Sequence, residues 1–241
     1  MSLSATALSV RGVHKSYGKD SVLAGIDFEL RQGEYLGLIG VNGSGKTTLI
    51  KSLLNACEIS SGTIEIFGRS HQQTAARERL AFLPERFIPP YFATGQDFLK
   101  FIGTLYGHRY DSLQVSQVLM ILDLSSDALS KPVRALSKGM AQKLGLAACF
   151  LSKKELFILD EPMSGLDPKA RAFVKNHLVS RKSQGQTVFF SSHLLADLEA
   201  LCDRLAVLHE GVLRFIGTPT ELKRAFAEQD LEQAYLRCVG A

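Results

Sequence analysis

The chain has 241 residues, of which 46% are hydrophobic and 22% are charged, and its formal net charge is +4 at pH 7. This apolar content can fill the core of an α/β domain and excludes a chain that is disordered throughout. The longest apolar stretches, such as residues 144–151, are shorter than the roughly 20 residues of a membrane-spanning helix. The basic residues are scattered, which argues against nucleic acid as a partner and fits either anionic lipid headgroups or an ordinary solvated surface.

Two further features bear on where the chain resides. Residues 1–10 contain no basic cluster followed by an apolar segment, so we expect no secretion signal. The four cysteines are widely spaced without a C-x-x-C pair, which indicates neither a zinc site nor a disulfide framework. Both features predict a cytoplasmic protein with reduced cysteines.

The chain begins with strand patterns that lead into one helix. Apolar and polar residues nearly alternate in residues 7–14 and 22–30, which predicts antiparallel strands. After a turn at Gly33-Glu34, the apolar run Tyr35–Ile39 predicts a buried strand, and residues 48–57 predict a helix.

The segment between that strand and that helix reads Gly40-Val41-Asn42-Gly43-Ser44-Gly45-Lys46-Thr47 and fits the pattern G-x-x-x-x-G-K-[ST]. Its glycines let backbone N–H groups turn inward around an anion, and the following helix directs its positive dipole end at the same place. This phosphate loop predicts nucleotide binding, with Lys46 on the β- and γ-phosphates, the Thr47 hydroxyl on Mg²⁺ and Thr48 on the α-phosphate. The alternative is a glycine-rich turn that precedes a lysine by chance.

The later elements predict a parallel sheet and a helical region. Further strands are predicted at residues 62–67, 80–83, 156–159, 187–191, 205–208 and 212–216. Helices are predicted at residues 72–79, within 94–128, and at 140–150, 168–182 and 194–201, with another opened by a capping box at 218–221. Strands alternate with helices after residue 156, which predicts crossover connections, whereas residues 94–128 lack strand signals and predict a helical subdomain.

Two acids, Asp160 and Glu161, follow the predicted strand at 156–159. A carboxylate that emerges from a strand beside a phosphate loop can hold Mg²⁺, and we assign this role to Asp160. Glu161, one residue further, is the candidate base that orients or deprotonates the water attacking the γ-phosphate. The alternative is that two adjacent acids only cap the end of a strand.

The segment Leu136-Ser137-Lys138-Gly139-Met140 lies between the phosphate loop and the two acids, and it resembles the signature sequence of the ATPase subunits of ABC transporters. The resemblance extends over nearly the whole chain. Tyr17 matches the aromatic that stacks on adenine, residues 164–167 match the loop after the catalytic acid, and His193 matches the switch histidine.

This resemblance implies an α/β P-loop NTPase fold with an ABC-type antiparallel β subdomain and a helical subdomain. A single domain would fill residues 1–241, with the RecA-like core and the β subdomain in 1–85 and 152–241. Residues 86–151 would form the helical subdomain that carries the signature segment, residues 136–140. The implied cofactors are ATP and Mg²⁺.

The resemblance also assigns roles to single residues. Tyr17 would stack its ring on adenine, although a hairpin aromatic that packs on its neighbours is the alternative. Ser137 and Gly139 would offer a hydroxyl, N–H groups and a helix dipole to a γ-phosphate held by a second cassette, so that a homodimer is the active unit; an uncharged helix N-cap is the alternative. His193 would sense the γ-phosphate and orient the water, although a histidine at a strand end is often structural.

The sequence departs from the family pattern at three positions. Lys138 and Met140 replace the usual glycine and glutamine of the signature segment, and we expect the Lys138 side chain to point away from the nucleotide. Glu85 replaces a glutamine that links the γ-phosphate to the helical subdomain. Its carboxylate can coordinate Mg²⁺ through water, or it can be an exposed acid at a strand end.

Apolar and aromatic residues crowd the segment at 87–92, which no strand alternation explains. The resemblance implies that a cytoplasmic helix of a membrane subunit docks here, and core packing beneath the helical region is the alternative. We therefore expect an ATP-hydrolysing subunit at the cytoplasmic face of the membrane that powers separate integral membrane permease subunits, most similar to bacterial export-type cassettes. The alternative is a soluble ABC ATPase that acts on nucleic acid or ribosomes, and the scattered basic residues argue against it.

Overall fold

A computed structural model describes residues 5–240, so the expectation for residues 1–10 lies partly outside the described range. The described residues form ten strands, numbered β1 to β10 in chain order: Thr6–Tyr17, Asp20–Arg31, Tyr35–Ile39, Ser61–Ile66, Arg69–Ser70, Leu80–Leu83, Leu156–Leu159, Thr187–Ser191, Arg204–His209 and Val212–Gly217. Ten α-helices, α1 to α10, lie at Lys46–Leu53, Thr74–Arg77, Gly95–Leu105, Ser112–Ile121, Asp127–Ser130, Lys138–Leu151, Pro168–Ser183, Leu195–Leu201, Pro219–Ala225 and Leu231–Val239.

A four-stranded antiparallel sheet has the order β2-β1-β4-β5. Strands β1 and β2 pair with Val10 opposite Phe28 and Val13 opposite Ile26, which brings the apolar residues of the two alternating patterns onto one buried face. This sheet confirms the antiparallel structure expected from residues 7–14 and 22–30. Both strands extend several residues beyond the predicted bounds, because their polar ends still pair across the hairpin.

A six-stranded sheet has the order β10-β9-β3-β8-β7-β6, and all neighbours are parallel except the hairpin of β9 and β10. Strand β3 is central and lies between β8 and β9. The carboxyl ends of parallel strands meet at one edge, which is where ligands bind in open α/β sheets. The phosphate loop after β3 and the two acids after β7 therefore lie at the same edge.

The six-stranded sheet separates two hydrophobic cores. In β3, Tyr35 and Ile39 point into the core shared with α6, α7 and the helices near residue 100. Leu36 and Leu38 point into the core shared with α1 and the antiparallel sheet. Alternate residues of one strand thus belong to different cores, and all four of these side chains are buried.

The helices differ from the predictions mainly at their ends. Helix α1 begins at Lys46 and ends at Leu53, inside the predicted bound of residue 57, because Asn55 adopts a left-handed φ of 54° that stops the helix. Helix α2 keeps only four of the predicted eight residues, and neither β5 nor α10 was predicted. Helix α9 opens with the predicted capping box at Thr218.

The region predicted to be helical contains α3, α4, α5 and α6, which pack against one another. Helix α3 begins at a capping box formed by Thr94 and Asp97. The division of the chain into a core, a β subdomain and a helical subdomain stays a prediction. Between residues 5 and 240, no helix combines the length and the apolar character needed to cross a bilayer.

Candidate nucleotide-binding site

The phosphate loop connects β3 to α1, and its three glycines lie where a side chain would clash or would strain the backbone. A Cβ atom at Gly40 would collide with the carbonyl oxygen of Leu208 and with Oγ of Ser44. Gly43 and Gly45 have φ values of +83° and +107°, in the region that favours glycine. This geometry turns the loop tightly around the N-terminus of α1, where unpaired backbone N–H groups attract an anion.

Lys46 is the first residue of α1, and its side chain folds back over the loop. Its Nζ donates to the carbonyl oxygens of Gly40, at 2.6 Å, and Val41, at 3.2 Å. Burial lowers the pKa of the Lys46 ammonium, and the carboxylates of Glu161 and Asp160 act in the opposite direction. The cation is thus held between the loop and the acids at the end of β7.

Within the described residues, Ser44 Oγ is buried without a hydrogen-bond partner. Buried hydroxyls normally make hydrogen bonds, so an unpaired hydroxyl inside a phosphate loop fits a hydrogen bond to an oxygen atom of a bound ligand. Thr47 and Thr48 follow at the start of α1 and line the same cleft. Of the predicted phosphate-loop residues, Asn42, Gly43, Gly45, Lys46, Thr47 and Thr48 line this cleft, whereas Gly40 and Ser44 lie in the loop behind its surface.

Asp160 is held by a serine that sequence reasoning did not identify. The Oγ atom of Ser191, at the end of β8, donates to Asp160 Oδ1 at 2.6 Å and accepts from the backbone N–H of Glu161 at 2.8 Å. Burial raises the pKa of the Asp160 carboxyl, the bond from Ser191 lowers it, and the nearby charges of Glu85 and Glu161 raise it further. A single buried hydroxyl therefore holds the Asp160 carboxylate and the backbone of Glu161.

Glu161 and His193 are in direct contact. His193 Nδ1 lies 2.7 Å from Glu161 Oε2, although 32 residues separate them in sequence. The Glu161 side chain is 11% exposed and the His193 side chain 58% exposed, so the pair spans the cleft wall from its buried side to its open side. Glu161 also has a left-handed φ of 48°, an uncommon conformation for a residue other than glycine and one that clusters at functional sites.

The cleft has a volume of about 580 Å³. Its lining contains Val22, Asn42, Gly43, Gly45, Lys46, Thr47, Thr48, Glu85, Asp160, Glu161, Ser164 and His193. A cavity of about 600 Å³ lies elsewhere, beside α3 and α4, and its lining includes none of the phosphate-loop residues. We therefore take the smaller cleft as the site.

The oxygen groups of the cleft fit Mg²⁺. The Thr47 hydroxyl and the carboxylates of Asp160 and Glu85 are hard oxygen ligands of the kind this ion prefers. Across residues 5–240, no group of three or more His, Cys, Asp or Glu side chains is arranged to hold a metal ion. A magnesium ion here would accordingly complete its coordination with phosphate oxygens and water, as is usual for Mg²⁺ in nucleotide sites.

Tyr17 is the last residue of β1 and lies at the edge of this region, outside the cleft lining. Its residue surface is 49% exposed, and Lys15 Nζ lies 4.5 Å from the centre of its ring. A hydrogen bond with Cys57, which follows α1, raises the pKa of the Tyr17 hydroxyl. The ring therefore lies beside the nucleotide-binding helix without being packed in a core.

Ser137 and Gly139 lie at the start of α6 and do not line the cleft. Ser137 is the N-cap of α6, with its Oγ accepting from the N–H of Met140 at 3.2 Å. A Cβ atom at Gly139 would lie 3.0 Å from the carbonyl oxygen of Gly165, so the helix start packs on the loop at 164–167. The Lys138 side chain crosses the same loop, since a Cβ atom at Gly165 would be 3.3 Å from its Cδ and Cε atoms.

A second unpredicted residue, Gln142, links α6 to the acids. Its side chain is buried, and Nε2 donates to the carbonyl oxygens of Glu161, at 3.4 Å, and Pro162, at 3.2 Å. The sequence signal for Gln142 is an amide inside an apolar helical run. For Ser191 it is a hydroxyl at the end of a buried strand next to His193.

Together, the strand–loop–helix geometry and the acids at the edge of a parallel sheet define a P-loop nucleotide-binding protein. The family model for the ABC transporter family matches residues 23–164. The chain belongs to the ABC transporter family, in which it is most similar to ATP-binding subunits.

Relatives support this membership. An uncharacterised ABC transporter ATP-binding protein of Synechocystis sp. is 39% identical over 201 residues, which are 82% of this chain and 56% of that protein. The Nod factor export ATP-binding protein I of Ralstonia nicotianae is 33% identical over 222 residues, covering 89% of this chain and 68% of that protein. A solved structure of the ATP-binding subunit of an ABC transporter has a TM-score of 0.88 and 30% identity, covering 97% of this chain and 99% of that chain. The chain thus spans little more than half the length of the Synechocystis relative.

Proposed function

We propose that the chain binds ATP with Mg²⁺, hydrolyses it, and powers transport, in the direction of export, through separate integral membrane permease subunits. The observation that carries this proposal is the convergence of Lys46, Asp160, Glu161 and His193 on one cleft. A regulatory nucleotide binder would have no need for a buried acid in contact with a histidine beside a phosphate loop.

The phosphates would take the place of the internal bonds of the loop. Lys46 Nζ would exchange the carbonyl oxygens of Gly40 and Val41 for oxygens of the β- and γ-phosphates. Gly40, Asn42, Gly43, Ser44, Gly45 and Thr48 would form the rest of the phosphate-binding loop. Thr47 and Asp160 would hold Mg²⁺, with Glu85 acting through water, and the bound ion supplies positive charge that neutralises the transferring phosphoryl group.

Glu161 would act as the base. It accepts a proton from the attacking water while the water oxygen bonds to the γ-phosphorus and the bond to the bridging oxygen of ADP breaks, which yields ADP and inorganic phosphate. His193 Nδ1 contacts Glu161 Oε2, so the imidazole can fix the carboxylate and present its other nitrogen to the γ-phosphate. Ser191 keeps Glu161 and Asp160 in register with each other.

A second copy of the chain would complete the site. Ser137 and Gly139 stand at the N-terminus of α6 and do not line the cleft of their own chain, which supports a role for them at the γ-phosphate held by another subunit. Tyr17 would stack on the adenine from the other side of the loop. The proposed active unit is therefore a homodimer with two ATP molecules between its subunits.

The proposed partner surface is the exposed apolar loop at residues 87–92. Ile88, Tyr91 and Phe92 are 68%, 60% and 93% exposed, whereas Phe87 packs on Phe98 with ring centres 5.3 Å apart. Exposed apolar groups beside an anchored aromatic suit the docking of a permease helix. This partner would place the chain at the cytoplasmic face of the membrane, and the name of the Ralstonia relative supports export.

The test is size-exclusion chromatography with ATP and Mg²⁺ on wild type and Glu161→Gln, with phosphate release measured on both. We expect Glu161→Gln to lose hydrolysis by at least about a hundredfold and to accumulate as an ATP-dependent dimer. Glu155→Gln is the matched control, because Glu155 is an exposed acid paired with Arg79 far from the cleft. Undiminished hydrolysis in Glu161→Gln would remove Glu161 as the base.

A further inference from the structure

A buried carboxylate that the proposed chemistry does not use lies on α8, four residues after His193. The Asp197 side chain is 3% exposed. Its Oδ1 atom lies 3.2 Å from Lys175 Nζ, and its Oδ2 atom lies 3.9 Å from Arg171 Nη1. Both cations belong to α7, so one acid on α8 faces two bases on the neighbouring helix.

This cluster is poorly arranged for stability alone. In the part of the chain that is described, Asp197 Oδ2 and Arg171 Nε are buried without a hydrogen-bond partner. Removing a carboxylate from water is unfavourable, and well-packed apolar residues in such a place are often as stable or more so. Buried ion pairs of this kind have their best-attested role in fixing how two elements sit against each other.

The two joined helices carry two parts of the site. Helix α7 begins at its N-cap Asp167, at the end of the 164–167 loop that follows Glu161. Helix α8 begins two residues after His193, and its first turn has no side-chain cap. The orientation of α8 is therefore set by what packs against it. Helix α7 makes two charged contacts with α8: the Asp197 cluster in its first turn, and Lys182 Nζ, which donates to the carbonyl oxygen of Leu201 at its end at 3.1 Å.

We propose that Asp197 is a positioning residue for ATP hydrolysis. By tying α8 to α7, it holds His193 within bonding distance of Glu161 and keeps the 164–167 loop in register with the imidazole. This inference rests on the proposed hydrolytic function. It predicts that the Asp197 charge affects the chemical step more than it affects ATP binding at the phosphate loop, which connects β3 to α1.

The experiment compares wild type, Asp197→Asn and Asp197→Glu with the control Glu199→Gln. Glu199 lies on the same helix and loses the same charge, but it pairs with Lys223 of α9, at 2.9 Å, and is half exposed. Two quantities are measured: the imidazole nitrogen resonances of His193 in nucleotide-free protein with isotope-labelled histidine, assigned with His193→Gln, and kcat and KM for ATP.

We expect Asp197→Asn to shift the His193 Nδ1 resonance and to lower kcat by about tenfold or more, with KM changed less than about twofold. Asp197→Glu should recover most of both, and Glu199→Gln should behave as wild type. An unmoved His193 resonance in Asp197→Asn, or an equal loss of kcat in Glu199→Gln, would overturn the proposal.

A substitute variant and a readout that does not need activity allow the proposal to be tested in every case. If Asp197→Asn does not fold, Lys175→Gln weakens the same cluster from the α7 side, and the same two shifts are expected in smaller measure. If wild type releases no phosphate, the proposed hydrolytic function fails, whereas the His193 resonance still reports whether Asp197 fixes the imidazole.

Discussion

Ser191 connects the Asp160 carboxylate to the backbone of Glu161. Its hydroxyl bonds Asp160 Oδ1 and the N–H of Glu161, and it is fully buried. We expect Ser191→Ala to raise the Mg²⁺ concentration for half-maximal hydrolysis by about tenfold, the usual cost of losing a partner of a metal ligand. A Mg²⁺ titration of phosphate release measures this effect.

The matched control is Ser152→Ala. Ser152 is equally buried, and its Oγ bonds the carbonyl oxygen of Cys149, remote from the cleft. It should leave the Mg²⁺ requirement as in wild type. Equal titration curves for the two variants would show that the Ser191 hydroxyl does not support the metal site.

Asp160 couples the metal site to stability. Since burial raises its pKa in the folded state, folded protein holds the Asp160 proton more tightly than unfolded protein does, and the ionised carboxylate destabilises the nucleotide-free fold. This destabilisation is present above the raised pKa and fades as the pH falls through it. Among the described residues that line the cleft, Lys46 is the one lysine or arginine available to the nearby acids Glu85 and Glu161.

We therefore expect Asp160→Asn to abolish Mg²⁺-dependent hydrolysis while raising Tm of the nucleotide-free protein. The rise should be about 2–4 °C near neutral pH, the shift that roughly 1 kcal/mol produces in a chain of this size. Thermal unfolding measured from neutral pH down through the titration of the Asp160 carboxyl should show the difference shrinking as the pH falls. A Tm gain that grows on acidification would contradict this account.

Sequence reasoning at the residue scale predicted which residues lie together where the spacing along the chain is short. Lys46, Thr47, Asp160 and Glu161 adjoin a strand end and a loop pattern, and the structure brings all four to one cleft. Ser191 and Asp197 could not be found in this way. Their roles arise from neighbours on other elements, at separations of 31 residues for Ser191 and Asp160, which no local pattern encodes.

At the scale of elements, the loop at 87–92 divides into an anchored and an exposed part, and the two predict opposite effects. Phe87→Ala removes a ring packed on Phe98 and should cost roughly 2–3 kcal/mol of stability. Phe92→Ser should change stability by less than about 0.5 kcal/mol, because the ring is 93% exposed.

For membrane recruitment, we expect the exposed Phe92 to matter although it contributes little to stability. Phe92→Ser should keep the phosphate release of the isolated protein and lose recruitment to membranes that contain the permease. Denaturant unfolding measures the first pair of effects, and sedimentation with such membranes measures the second. Full recruitment of a protein in which Ile88, Tyr91 and Phe92 are all serine would move the docking surface elsewhere.

Strand bounds were predicted more closely than helix bounds. The buried strands β3, β6 and β7 coincide with their predictions because continuous apolar runs end sharply at Gly40, Pro84 and Asp160. Strand β8 also coincides with its prediction, and its apolar run ends at two serines. Helix α1 ends early at a left-handed Asn55, and α10 is amphipathic in a segment without an obvious start signal other than Asp230. Conformations of single residues set these ends, and composition does not reveal them.

For the molecule as a whole, alternation of strands and helices predicted a parallel sheet, but not its strand order. That order places β8 between β3 and β7, which is why a residue of β8 bridges to the acids after β7. Crossover connections of similar length are compatible with several orders, so the arrangement depends on how the layers pack.

The two cores on opposite faces of β3 have a consequence for variation in this protein. Leu36 and Leu38 pack in one core, and Tyr35 and Ile39 pack in the other. All four belong to the five-residue strand that leads into the phosphate loop. A volume change in either layer presses on the same strand from its own side. Substitutions in the two cores therefore influence each other through β3, even when they are far apart in sequence. How well one core tolerates a mutation depends in part on the substitutions that the other core already carries.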